Sequence, residues 1–385
     1  MQRRPRTVLL ALLGVFAVLT LVGLVALWPS GAKVDALSES VDFAAPGVTF
    51  PKADVTAVQP ACESLEEDSD DCGRITVQVS EGVGVGGELD IGVPAEVIGA
   101  GLSVGDTVKL IRTPAQDGQD PAFSYFGTVR TAPVGLLLGI FVVVVLAVAR
   151  LRGFLAIVGL AFAAAVIIRF MLPALLAGEN GALVGVVGSS AIMFVVLYTT
   201  HGWSLRTSAA LAGTLAGIVL TAAIGSFAVG GARLTGVVDD SDRILGTIAG
   251  DLSFQGLLTC AIIIAGLGVL NDVTITQASA VWEIRGAAPA LSRRAVFLSG
   301  MRIGRDHIAS SIYTIVFAYA GTALTILLLL SLYDRPFFDL LATEEIGQEV
   351  VRTLATTIGL VLAVPLTTLI AVATLPPAIE GAPAV

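Results

Sequence analysis

Long apolar runs set the rhythm of this chain. After Arg3, Arg4 and Arg6, an uninterrupted apolar stretch extends from about Thr7 to Trp28. Seven more follow: Pro133–Ala149, Phe154–Leu176, Ala182–Thr199, Thr207–Val229, Gln255–Val273, Ile308–Leu332 and Val351–Leu375. A bilayer core of about 30 Å takes about 20 helical residues, so the pattern predicts about eight spanning helices. Between the first two runs the period changes. Short β-type segments appear at Ile75–Val79, Glu88–Val93, Thr107–Ile111 and Phe123–Val129, punctuated by Gly and Pro as in GLSVGDTVKLIRTP. Such spacing predicts a small barrel or sandwich. The expected fold is an all-α polytopic membrane bundle with a small extracytoplasmic β-barrel-like domain. Its divisions are a first helix (1–29), the β domain (30–131), a seven-helix domain (132–376) and a cytoplasmic tail (377–385).

Composition supports this and adds orientation. The 385 residues are 55% hydrophobic and 14% charged, against about a quarter charged in soluble domains. The mean hydropathy is +0.88. The net charge of −9 is concentrated: residues 30–130 hold 17 acidic against 6 basic side chains. A basic nucleic-acid footprint is absent, and the bilayer is the partner the composition demands. With the N-terminus inside, the inner connections hold Arg150, Arg152, Arg206, Arg285, Arg293, Arg294, Arg302 and Arg305. The outer ones hold mainly acids, including Asp239, Asp240, Asp242, Glu344 and Glu345. That bias predicts both termini in the cytoplasm and the β domain outside. The first run is long for a signal peptide and lacks a small-x-small site after it, which favours an uncleaved helix.

Cysteine placement agrees. Cys62 and Cys72 bracket a loop with six acids, and outside the cell a disulfide closing that loop is expected. The acids lack EF-hand spacing, so no metal site is expected. Cys260 falls in an apolar run and reads as a small buried hydrophobe. Pro173 and Pro365 are kink candidates, and Arg169 is placed to snorkel to the headgroups.

One stretch stands apart, Asn271–Ser311, where Asp272, Arg302, Arg305, Asp306 and His307 lie at or just inside the ends of two apolar runs. Ionisable groups in or near hydrocarbon are functional candidates by default. Asp272 is read as ending its helix near the inner face, where a carboxylate opposes the helix dipole and calls for a cation. Arg302 and Arg305 are the expected partners. Arg302 and Asp306, four residues apart, share a helical face and can pair. Topology alone also accounts for arginines at an inner helix end, and the dipole alone for Asp306. Neither accounts for Asp272.

The runs GLGVLNDVTITQASAVWEI (Gly266–Ile284) and SGMRIGRDHIASSIYTIVFAYAG (Ser299–Gly321) resemble the YibE/F family of bacterial membrane proteins. The likeness extends from about Arg130 to Leu375 and more weakly over the β domain. Asn271 departs from it, as a polar residue where an apolar one is expected. The resemblance implies a multi-spanning plasma-membrane protein with permease-like hydropathy. It names no activity.

The residues themselves favour a secondary transporter of a small solute or ion, with Asp272, Asn271, Asp306 and His307 as relay or gate groups and Arg302 and Arg305 beside them. A non-transporting scaffold or sensor, its outer domain binding a partner, is the alternative. An enzyme is disfavoured: the chain has two histidines, no H-E-x-x-H, no G-x-G-D and no G-x-x-x-x-G-K-[ST]. No cofactor is expected, and homo-oligomerisation is left open.

Overall fold

The computed structural model describes residues 3–39, 44–60, 73–115, 120–332 and 336–379. The chain divides into two compact units, residues 1–40 with 148–385, and residues 41–147. Cys62 and Cys72, and with them the expected disulfide, lie outside the described residues, as do residues 380–385 of the tail.

The first unit opens with α1 (Arg3–Ala26) and a short α2 (Gly31–Glu39). The sequence assigned residues 31–39 to the β domain, but they belong to this unit. Lys33 on α2 pairs with Asp251 at 2.8 Å and donates to the Ala177 carbonyl at 2.7 Å.

The second unit contains β1 (Lys52–Val58), β2 (Arg74–Glu81), β3 (Glu88–Gly92), the single-turn α3 (Ala95–Gly99), β4 (Thr107–Thr113) and β5 (Ala122–Thr128). The five strands form one antiparallel sheet in the order β3-β2-β1-β4-β5. It curls so that β3 and β5 approach each other. Alternate residues turn inward, as a half-buried strand requires: Ala53 and Val55, Ile75, Val77 and Val79, Ile91, Val108 and Leu110. Four strands were legible in the sequence. The fifth, β1, is central yet was missed, because KADVTAV carries small and charged residues in place of a bulky alternating row.

Next comes α4 (Thr131–Val166), whose backbone breaks at Arg150 (φ 51°, ψ −129°). It continues through a π turn at Ile167–Met171 into α5 (Leu172–Leu176). Pro173 has no N–H to bond the Arg169 carbonyl one turn back, and the wide turn absorbs that loss. The sequence read two spans here; the structure has a 46-residue helical stretch divided at Arg150.

The remaining elements are α6 (Gly181–His201), α7 (Leu205–Gly231), α8 (Asp240–Ile248), α9 (Phe254–Ala287), α10 (Arg293–Thr322), α11 (Leu324–Leu332), α12 (Phe337–Leu340) and α13 (Glu344–Thr374). Among the described residues six helices are long and apolar enough to cross a membrane. A seventh arises if α10 and α11, bent by 68°, are one span.

The core is the α7–α9–α13 trio, with α6 and α1 against it and α10 along α9 and α13. Glycines let these helices approach closely, as membrane bundles require without a strong hydrophobic drive between helices. Gly213 faces the Thr367 side chain, Gly359 that of Thr221 and Gly266 that of Thr356. Two of these threonines also bond backbone carbonyls, Thr356 reaching across to that of Ile262 at 3.5 Å. Thr367 bonds the Ala363 carbonyl at 2.8 Å.

Candidate functional site

α9 starts at Ser253, whose hydroxyl accepts from Gly256 N, and does not stop at Asp272. It continues for fifteen more residues because its polar side chains find partners across the bundle. Thr274 Oγ1 meets Thr214 Oγ1 at 2.6 Å. Gln277 Nε2 donates to the Gly300 carbonyl at 2.9 Å and to Thr368 Oγ1 at 2.7 Å. The helix ends at Ala287, and Arg285 secures the turn by donating to the Pro289 and Leu291 carbonyls at 2.9 and 2.8 Å. Ser292 then caps α10 by accepting from Ala295 N.

This overturns one expectation. Asp272 is not a helix terminus: at 1.5 Å per residue it lies about 27 Å from one end of α9 and about 22 Å from the other. Asp306 and His307 lie similarly near the middle of α10. Arg302 and Arg305, counted as loop charges in the orientation argument, are inside α10 as well. The hydropathy run ended at Val273, but hydropathy does not sense hydrogen bonds made across helices. The dipole argument for Asp272 falls with the helix end.

The two helices are antiparallel neighbours. Gly304 on α10 abuts the Gln277 amide, so one turn further along both brings His307 level with Asn271 to Val273. Asp272 is exposed and forms no ion pair among the described residues. The expected pairing with Arg302 or Arg305 is therefore absent, and so is the Arg302–Asp306 pair. Arg302 turns back to the Ser299 hydroxyl at 3.0 Å. Asn271 is half-buried, and its Oδ1 is enclosed without a partner, as is Gln277 Oε1. The mid-helix region thus offers a free carboxylate, two orphaned amide oxygens, an imidazole and two guanidinium groups. Such a set can pass a proton or hold a small ion.

A second polar group escaped the sequence. Glu349 and Arg352 pair at 2.8 Å on α13, each only a quarter exposed. Tyr319 on α10 bonds Thr356 beside them. Glu349 borders a cavity of about 250 Å³ at the bend between α10 and α11, lined also by Tyr319, Ala323, Leu327 and Thr353 among others. An E-x-x-R spacing at the head of an apolar run was the available signal. The buried Thr214, Thr274, Gln277 and Thr368 gave none, since threonine and glutamine are ordinary in loops. Arg169 is exposed in the π turn, and Cys260 is buried and free, against Gly185.

An apolar bundle of long helices knitted by threonine–glycine contacts, with charges at mid-helix, is consistent with the class of multi-pass membrane proteins. The YibE/F-like protein model matches residues 137–377, well over half of the chain, and the chain belongs to that family. The match takes in most of α4 and every helix from there to α13, and leaves out the five-stranded sheet. No curated protein and no solved structure matches the chain.

Proposed function

We propose that this is a permease-like protein of the bacterial plasma membrane, a secondary transporter of a small solute or ion. The 46-residue stretch from Thr131 would measure about 69 Å, over twice the hydrocarbon thickness, so we take it as two spans divided near Arg150. With α10 and α11 as one broken span, the total is eight. Arg285, Arg293 and Arg294 at the α9–α10 turn favour that end, and with it both termini, on the inner side. The sheet is then extracytoplasmic.

One observation carries the transport reading: the unpaired Asp272 carboxylate halfway along a helix of the bundle core. An ionised acid at such a depth costs about 2.5–3.5 kcal/mol on insertion scales, and a chain that keeps one without an internal cation has a use for it. Asp272 would take up and release the coupling proton or bind the solute, with His307 at the same level as relay. Mid-helix placement would set this group at mid-depth on an open face of the bundle, deeper than the inner end of the helix. Purified protein in liposomes, screened for ion and small-anion flux, tests it. The expected result is flux in the natural chain and none in Asp272→Asn at equal insertion. Silence of the natural chain together with a stable co-purifying protein would favour the scaffold.

A further inference from the structure

The face of the bundle that bears Asp272 has the chemistry of an interface between copies. Ala265, Gly268, Asp272 and Thr276 succeed one another at spacings of three and four, forming one stripe of α9. The first three are exposed. A Cβ added to Gly268 would meet nothing within 4 Å, whereas one on Gly266 would run into Thr356. Small residues in this register let a second helix come close. Alongside, α10 leaves Arg302, Arg305 and Asp306 exposed at similar depth, and none of the three forms an ion pair among the described residues.

Three occupants can be weighed. Lipid tails cannot neutralise a carboxylate or a guanidinium. The apolar segment 131–149 has no charged side chain with which to do so. A second copy can. The face holds two acids and two arginines, so it is neutral overall and complementary to itself. A two-fold axis brings residue i to j and j to i together, which satisfies both halves at once.

We propose that two copies of this chain pack through this face, the α9 stripe of each against α10 of the other. Asp272 then meets Arg302 of the second copy, so each Asp272 site is completed by the other chain. This shares Asp272 with the transport reading but does not rest on flux.

The test counts copies of the full-length labelled chain in dilute vesicles by single-molecule photobleaching. Two bleaching steps are expected for the natural chain. Asp272→Arg and Arg302→Asp should each raise the dissociation constant at least tenfold, and the double exchange should restore pairing. Gly268→Leu adds bulk only in open space, so its monomer should fold normally yet fail to pair. Should the charge variants insert poorly, a chain carrying both Gly268→Cys on α9 and Ser310→Cys on the exposed side of α10 decides, because these positions lie at similar depth on the two helices that face each other across the interface. Oxidation must give a linked dimer that the natural chain, with its own cysteines, does not give. One-step bleaching of the natural chain at every protein-to-lipid ratio overturns the proposal. So does pairing that survives both single exchanges and Gly268→Leu. Flux from a strictly monomeric protein would sink the dimer and leave transport standing; a dimer without flux would do the reverse.

Discussion

The two faces of α9 make opposite use of polar residues. On the buried face Thr274 and Gln277 are partnered within the chain, by Thr214, Thr368 and the Gly300 carbonyl. On the open face Asp272 stands two residues before Thr274 with no internal counter-charge. A polar group in an apolar bundle that is satisfied by its own chain is holding helices together. One that is not is waiting for something from outside. The difference is one of partnership, since both kinds of residue sit at similar depth.

The largest effect expected from breaking this comparison is steric. A methyl on Gly181 would strike the Gly256 carbonyl, part of the α9 backbone that cannot rotate aside. Overpacking of this kind costs about 1–3 kcal/mol, occasionally more, so Gly181→Ala should markedly lower the melting temperature in detergent. Gly268→Ala, on the open stripe of the same helix, should leave it unchanged. Equal losses in the two variants would mean that the faces do not differ.

Side-chain chemistry should then separate stability from function. Gln277→Leu abandons the Gly300 carbonyl and the Thr368 hydroxyl in a buried site, at a cost of about 1–3 kcal/mol. Flux per folded molecule should survive it. Asp272→Asn should show the converse: flux lost, with an unshifted melting temperature in detergent dilute enough to hold single copies. If Asp272→Asn melts early, the carboxylate is structural and the contrast collapses. A milder case is the Thr214–Thr274 contact. Either threonine changed to valine should cost about 0.5–1.5 kcal/mol, and the double variant less than the sum, since one bond is removed once.

How much of this was legible follows from the same contrast. Apolar runs and β alternation report burial, so the helical bundle and four strands were readable, and the 266–321 motifs pointed to the family. Partnership is a tertiary property and was not readable. Nothing local says that Gln277 reaches Thr368, ninety-one residues on. The last fourteen residues of α9 therefore looked like a loop, and Asp272 like a helix end with a cation beside it. Asp272 stood out in the sequence on a dipole argument that falls with the helix end, and the structure puts in its place an exposed carboxylate with no ion pair among the described residues.

A third kind of charge sharpens the rule: exposed, but partnered. Asp251 pairs with Lys33, and both side chains are largely solvent-accessible. The Lys33 hydrogen bond first, and its charge second, hold the Asp251 carboxyl below the ordinary carboxylate range. A depressed pKa stabilises the folded form above the unfolded value, near 3.9, and the gain is lost as pH falls through the folded value. The tie of α2 to the α8–α9 turn should therefore hold at neutral pH and loosen only below about pH 4. Trp28 emission can follow this, because Trp28 lies three residues before α2. The natural chain should show a small acid transition that Asp251→Asn lacks, the variant resembling the acid form already at pH 7. The amplitude should be the smallest of all these effects. Water screens the pair, and Lys33 keeps its bond to the Ala177 carbonyl whatever the state of Asp251. An Asp251 effect on flux as large as that of Asp272 would show that exposure, with or without a partner, is what matters, and the distinction drawn on α9 would fail.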